Sequence, residues 1–243
     1  MAHGQRDDSD VESTGLLFTQ ADMAEHAARL GSPYVFYRSG ALLFAETWGH
    51  GPGGWRFQFG PVGSTAYVCD DEFLSEGASL HWTLANGALA SIIQTRLFVP
   101  TFSSNLGFQA SFAGNTKQHI IALSITYHWG GVRYEGEIQY NPATEVLQYR
   151  NAAAALVTFA TSVDDYTVAG GWTTVKLVLS MSDAQYLRFY WGGTEYDLSS
   201  YGLRPLAAGT IDYMLFGLEY IRSQNDAGSM YWDNLILTTE EPN

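Results

Sequence analysis

Apolar and polar residues alternate through most of this chain. In "YLRFYW" (186–191), Leu187, Phe189 and Trp191 fall on one face, and Tyr186, Arg188 and Tyr190 on the other. A period of two is that of a strand half-buried against a core. "VKLVLSM" (175–181) sets Val175, Leu177 and Leu179 against Lys176, Val178 and Ser180. Further runs, among them "ASLHWTL", "LGFQASF", "HIIALSITYHW", "VRYEGEIQY" and "DYMLFGLEYI", are divided by turn residues such as Asn86-Gly87, Gly130-Gly131 and Asn141-Pro142. About twelve strands with such regular turn signals predict an all-β fold, a two-sheet antiparallel sandwich.

The first forty residues follow another pattern. Residues 1–15 form a polar, acidic arm. "TQADMAEHAARLG" (19–31) reads as one short helix, with Thr19 as N-cap, Asp22 completing a capping box and Gly31 at C′. Met23, Ala27 and Leu30 give it a narrow apolar stripe. So thin a stripe does not hold a short helix alone, so the helix is expected to dock on the domain or on a partner. Residues 34–37 and 41–46 flank an Arg-Ser-Gly turn and read as a hairpin. The division is therefore 1–40, an N-terminal arm and helix acting as a latch for assembly, and 41–243, the sandwich.

Composition narrows the function. The chain is 46% hydrophobic and 14% aromatic, with 25 Gly, as in a strand-rich domain with many turns. A net charge of −13 repels phosphate backbones and argues against a nucleic-acid partner. No stretch approaches the ~18 continuous apolar residues of a membrane span, so no membrane insertion is expected. The N-terminus has no apolar h-region, and no ordinary secretory signal is expected. The single cysteine, Cys69, excludes an intramolecular disulfide.

Catalytic signatures are sparse. The histidines at 3, 26, 50, 81, 119 and 128 form no H-E-x-x-H or H-x-H pattern, so no zinc signature is present. There is no G-x-S-x-G elbow, and "GHGPGG" (49–54) opens no helix and lacks the Lys-Ser/Thr of a phosphate loop. Asp70, Asp71 and Glu72 read as a solvated acidic turn. Glu135 and Glu137 share a strand face roughly 6.5 Å apart, a separation that glycosidases use. Their expected surroundings are nevertheless a solvated face with Arg133 as neighbour, and no enzyme is expected. Two aromatic groups are candidates for a glycan platform, because sugar rings stack their C–H faces on aromatic rings. Tyr127 and Trp129 share a face and lie beside Tyr134 across the Gly-Gly turn. Tyr186, Arg188 and Tyr190 form a second stripe. The competing reading of both is core or inter-subunit packing.

Several segments carry a family resemblance. "LLFAETWGHGPGGW" (42–55) resembles a jelly-roll opening strand of the form D-x-F-E, Gly-rich turn, W. "EGASLHWTL" (76–84), "GGWTTVKLVLS" (170–180), "LRFYWGGTEYDLS" (187–199) and "MYWDNLILT" (230–238) resemble the later strands in order. Together they resemble the concanavalin-like, carbohydrate-binding-module-like β-jelly rolls found in phage and metagenome proteins. The resemblance implies that the first and last strands lie side by side, with a structural calcium between them. Glu46 takes the place of the opening acid and Asp233 that of the closing Asp; no other cofactor is implied. Calcium takes about six to eight hard oxygen ligands. Without it, a buried Asp233 needs hydrogen bonds from the backbone at a strand bend. Thr47 and Trp48 depart from the usual acidic opening.

"DMAEHAARLGS" (22–32) is also similar to a leader of phage proteins. The expectation is therefore a non-enzymatic structural or assembly protein, such as a virion decoration or surface protein. It would bind a second copy or a capsid-type partner through residues 1–40, at a virion or cell exterior. The alternative is a carbohydrate-binding module that recognises a polysaccharide through exposed aromatics.

Overall fold

The computed structural model describes residues 40–46, 48, 54–60, 63–74, 78–84, 91–98, 105–114, 119–163, 171–207, 209, 211–222 and 228–242. The predicted arm, helix and 34–37 strand lie outside these residues, as do the turns at 49–53 and at Asn86-Gly87. The described strands are β1 (Ala41–Glu46), β2 (Arg56–Gly60), β3 (Thr65–Cys69), β4 (Ser79–Leu84), β5 (Ser91–Phe98) and β6 (Asn105–Gly114). Next come β7 (His119–Trp129), β8 (Val132–Asn141), β9 (Val146–Arg150), β10 (Leu156–Ala160) and β11 (Thr173–Ser180). The series ends with β12 (Gln185–Trp191), β13 (Thr194–Asp197), β14 (Arg204–Pro205), β15 (Tyr213–Arg222) and β16 (Gly228–Thr239).

They form two antiparallel sheets. Sheet A runs β13-β12-β11-β6-β16-β4-β3, with β1 paired to β16. Sheet B runs β10-β9-β8-β7-β15-β5-β2, with β14 paired to β8. The alternation places the core between them. Leu106, Phe108, Ala110 and Phe112 of β6 and Val175, Leu177 and Leu179 of β11 are buried from one side. Ile121, Leu123 and Ile125 of β7 and Met214, Phe216, Leu218 and Tyr220 of β15 are buried from the other. Rings meet across the interface, Phe108 on Phe216 at 5.5 Å and Tyr140 on Trp191 at 4.4 Å. Each fully buried large side chain contributes about 1.5–3 kcal/mol. The predicted all-β sandwich is therefore the fold.

Glycine is required at two places. The β7–β8 hairpin turns at Gly130 and Gly131, with φ of 60° and 82°, while Trp129 pairs with Val132. A two-residue turn with positive φ at both positions matches the strand twist, and glycine adopts it without a Cβ penalty. At Gly136 a Cβ would stand 2.6 Å from the Leu179 side chain, so its absence lets the two sheets close.

One expectation about facing is corrected. In β12, Tyr186 pairs with Leu179 and Arg188 with Val178, so Leu187 is an extra residue. Such a bulge shifts the phase of the strand. Tyr186 therefore joins Phe189 and Trp191 in the core, and Leu187 is only half-buried.

The first and last strands do lie side by side, from Ala41 opposite Thr239 to Glu46 opposite Leu235. Beyond β16 the chain turns at Glu240, with φ of 55°. Glu241 then packs against the outer face of sheet A, where its Oε1 is 2.6 Å from Lys176 Nζ and its Oε2 3.6 Å from Arg188 Nη2. Thr238 donates its hydroxyl to the same carboxylate, and Asn105 Nδ2 donates to the Glu241 carbonyl at 2.7 Å. The C-terminal segment thus covers this outer face, and Lys176 is 1% exposed.

Candidate functional site

The residues of sheet B that point away from the core form rows across the strands. Leu215, Thr126 and Glu135 make one row, and Gly217, Ser124 and Glu137 the next. Glu219, Ala122, Gln139 and Gln148 make the third. Ala122, Ser124 and Gly217 are small, so little side-chain bulk stands between Glu219 on β15 and Glu137 and Gln139 on β8, and this low strip of the outer face is called the trough.

Glu137 is buried, and three donors engage its carboxylate. Arg150 holds it with a two-pronged fork, Nε to Oε2 at 2.5 Å and Nη2 to Oε1 at 2.8 Å. Gln139 Nε2 adds a third donor at 2.5 Å. Such forks fix geometry as well as charge. Hydrogen bonding to Glu137 is also the main reason the Arg150 pKa rises. The arginine is held in turn by Nη1, which donates to the Ala154 carbonyl at 3.1 Å. That carbonyl belongs to a turn that Asn151 builds, its Oδ1 accepting the N–H groups of Ala153 and Ala155 at 2.9 and 3.0 Å. Along the strand, Glu135 receives Arg204 Nη1 at 2.9 Å, and β14 places Arg204 directly opposite it.

Glu219 differs from the other two acids. Burial, and next the charge of Glu137, raise its pKa to about 7, with Arg150 opposing. Its carboxyl is therefore divided between its two protonation states near neutrality, as a proton donor or acceptor requires.

The solvated face expected around Glu135 and Glu137 is not found. Arg133 shares their face but lies over the Tyr213 ring, at 5.7 Å. Arg150 and Arg204, which come from later strands, hold the two glutamates instead. The sequence reading missed Gln139, Arg150, Arg204 and Glu219. For Glu219 a signal existed: it interrupts the apolar run "MLFGLEYI", as Asp233 interrupts its own strand.

The predicted aromatic groups fare differently. Tyr127 and Tyr134 are direct cross-strand partners, and Trp129 lies two residues on, at the hairpin tip. These three do come together, but on the core-facing side of β7 and β8, not in the trough. Tyr127 and Tyr134 are half-buried against the core, and Trp129 is 38% exposed. Burial, then the charge of Asp212, raises the Tyr127 pKa. The second stripe is broken up by the bulge. Tyr186 is fully buried, accepting Glu137 N–H at 2.9 Å and donating to the Arg150 carbonyl at 2.8 Å, and cannot be an exposed platform. Arg188 is buried under the C-terminal segment and donates to the Pro242 carbonyl at 2.6 Å. Tyr190 stays half-buried on the outer face of sheet A, opposite Lys176 and Glu195.

Glu46 and Asp233 are both buried. Asp233 sits at a register shift in β16, and the following Asn234 has φ of 50°. Its Oδ2 accepts Leu74 N–H at 2.8 Å and its Oδ1 accepts Asn234 N–H at 2.7 Å. Glu46 Oε1 accepts Trp48 N–H at 3.2 Å. The Asn234 side-chain amide is buried without a hydrogen-bond partner. Both carboxylates thus accept backbone N–H groups at the strand bend, and the Asn234 amide oxygen beside them is a hard donor of the kind calcium takes.

No family model matches the sequence, and no curated relative matches it. Solved structures do match. An endo-β-1,4-glucuronan lyase from the fungus Trichoderma reesei superposes with a TM-score of 0.55 at 12% identity, covering 82% of this chain and 95% of that one. A Bacillus subtilis protein of unknown function with a galectin-like fold gives a TM-score of 0.55 at 12% identity, over 86% of this chain and 100% of that one. The fold is a galectin-like β-jelly roll. A carbohydrate esterase from the Shiga toxin-encoding bacteriophage phi24B shares this jelly roll, with a TM-score of 0.51 at 15% identity over 82% and 98% of the two chains. At such identities the likeness is one of architecture. Among the described residues no helix is long and apolar enough to cross a membrane.

Proposed function

We propose that the protein binds a polysaccharide in the trough on the outer face of sheet B. The observation that carries this reading is the Glu137–Arg150–Gln139 set, buried and held in place on the face of a sheet. Sugar hydroxyls donate and accept together, and this set offers both capacities side by side. Its side chains are already ordered, so little rotamer freedom is lost on binding. Tyr127, Trp129 and Tyr134 lie on the other side of the sheet, so they are not part of this contact, and Trp129 is the exposed member of that group.

The proposed role is recognition without cleavage. Glycoside cleavage uses two carboxylates in acid and base roles. Here Arg204 engages Glu135 through one hydrogen bond and Arg150 engages Glu137 through a fork, and Glu219 is the acid whose pKa is raised. A glycan array, followed by titration of the best ligand, tests the proposal. Arg150→Ala is expected to weaken binding at least tenfold, and an array without hits would remove the reading. Release of new reducing ends from a bound polysaccharide would contradict the non-catalytic role.

A virion decoration or surface role is a separate proposal, resting on the leader-like residues 22–32. A homo-oligomer or capsid-type partner would then be held through residues 1–40, at a virion or cell exterior. Light scattering with and without residues 1–40 tests self-association, and a monomer in both cases contradicts the homo-oligomer. We also propose a structural calcium at the β1–β16 junction, held by Glu46, Asp233 and Asn234, where it would offset the two carboxylates. A chelator is expected to lower the melting temperature, and Asn234→Ala to shrink that effect; equal melting with and without chelator contradicts it.

A further inference from the structure

A second cluster of donors lies far along sheet A. β3 and β4 pair so that Tyr67 faces His81 and Cys69 faces Ser79. Cys69 and His81 are therefore diagonal neighbours on the outer face, roughly 7–8 Å apart at the backbone. Asp71 follows Cys69 by two positions. One donor atom each from Cys69, Asp71 and His81 lie within 4.8 Å of one another.

The imidazole is held from several sides. Its Nδ1 hydrogen-bonds the Tyr67 hydroxyl at 2.8 Å. The ring stacks on Tyr231, at 4.3 Å and 13° between planes, and meets the edge of Tyr67 at 5.1 Å. The other nitrogen, Nε2, is shielded from solvent and has no hydrogen-bond partner. A shielded polar atom without a partner is rare in folded proteins and calls for a ligand. Ser79 donates its hydroxyl to the Glu72 carbonyl, which ties the acidic turn back onto β4.

We propose that Cys69, Asp71 and His81 form a binding site for a divalent transition metal of the zinc type. A thiolate, an imidazole and a carboxylate suit zinc or cobalt, whereas calcium and magnesium prefer oxygen alone. Ligands at about 2.0–2.3 Å from zinc stand closer together than the present donors, and Asp71, which is exposed, has the freedom to swing inward. Three protein ligands leave a fourth position for water or another donor. Tyr67 acts as the outer partner that orients the ligating imidazole. This site is distinct from the calcium junction and does not rest on the glycan reading. The sequence shows no zinc signature because pairing of β3 with β4, not local spacing, brings the ligands together.

Cobalt(II) titration of the untagged full-length protein tests the site. Cys69 is the single cysteine of the sequence, so a thiolate-to-cobalt charge-transfer band reports this site alone, whatever the other histidines bind. The expected result is a band that saturates at one equivalent and is displaced by zinc. Cys69→Ser abolishes it, His81→Ala and Asp71→Asn each weaken cobalt binding more than tenfold, and Tyr67→Phe weakens it roughly tenfold. Asp71 and Tyr67 are exposed, so Asp71→Asn and Tyr67→Phe keep the test valid if the other variants fail to fold. No thiolate band, or a band whose affinity Asp71→Asn and Tyr67→Phe leave unchanged, overturns the proposal.

Discussion

The outer faces of the two sheets carry the same pattern and meet different fates. On sheet A, Glu241 lies between Lys176 and Arg188 and the chain's own C-terminal segment covers the set. On sheet B, Glu137 lies between Arg150 and Gln139, and Gln148, Arg150 and Glu219 around it stay half-buried. Charges that are covered serve the fold, because a buried ion in low dielectric requires its partner. Burial lowers the Lys176 pKa even with Glu241 beside it, which shows how strongly that face is desolvated. Charged groups that stay half-exposed, as Arg150 and Glu219 do beside the buried Glu137, are available to a ligand. Among the described residues, what separates the two faces is a short stretch of returning chain, not their strand patterns.

The largest expected effect lies on the covered face. Glu241→Ala leaves Lys176 and Arg188 without their counter-charge and is expected to cost about 3–5 kcal/mol in urea unfolding, with glycan binding retained in the folded fraction. Unchanged stability would erase the contrast between the faces. On sheet B, Arg150→Ala leaves Glu137 unpaired but nearer to water. Its expected cost is smaller, about 1–3 kcal/mol, and its main effect is on binding.

The smallest effect concerns Glu219. Its folded pKa of about 7 lies above the usual 4.5, so the folded state binds more protons between those values. Stability from this group is fully present below pH 4.5 and is lost as pH rises through 7. Screening by solvent limits the loss to roughly 1–2 kcal/mol. Urea midpoints at pH 5 and pH 8 are expected to differ less in Glu219→Gln than in the parent. An identical pH dependence would show that Glu219 titrates as an ordinary surface acid.

Much of the fold was legible in the sequence because strand periodicity is local. The alternation in 175–181 marked the core face of β11, Gly130-Gly131 marked the β7–β8 hairpin, and the similarity of 42–55 and 230–238 to opening and closing strands anticipated the β1–β16 pairing. The candidate site was legible only in part. Glu135 and Glu137 were singled out as a pair, but their partners Arg204 and Arg150 depend on register across strands that a local pattern does not specify. The single extra residue at Leu187 reversed the face of Tyr186, since a bulge alters phase without altering composition. Glu241 meets Lys176 from the far end of the chain, a contact that no spacing announces.

The central claim is that a glycan lies against sheet B. Amide chemical-shift mapping with the best array ligand tests it most directly. The account predicts shifts concentrated at Glu135, Glu137, Gln139, Arg150 and Glu219. Shifts confined to Lys176 and Tyr190 on the opposite sheet, or a spectrum unmoved by ligand, would contradict it.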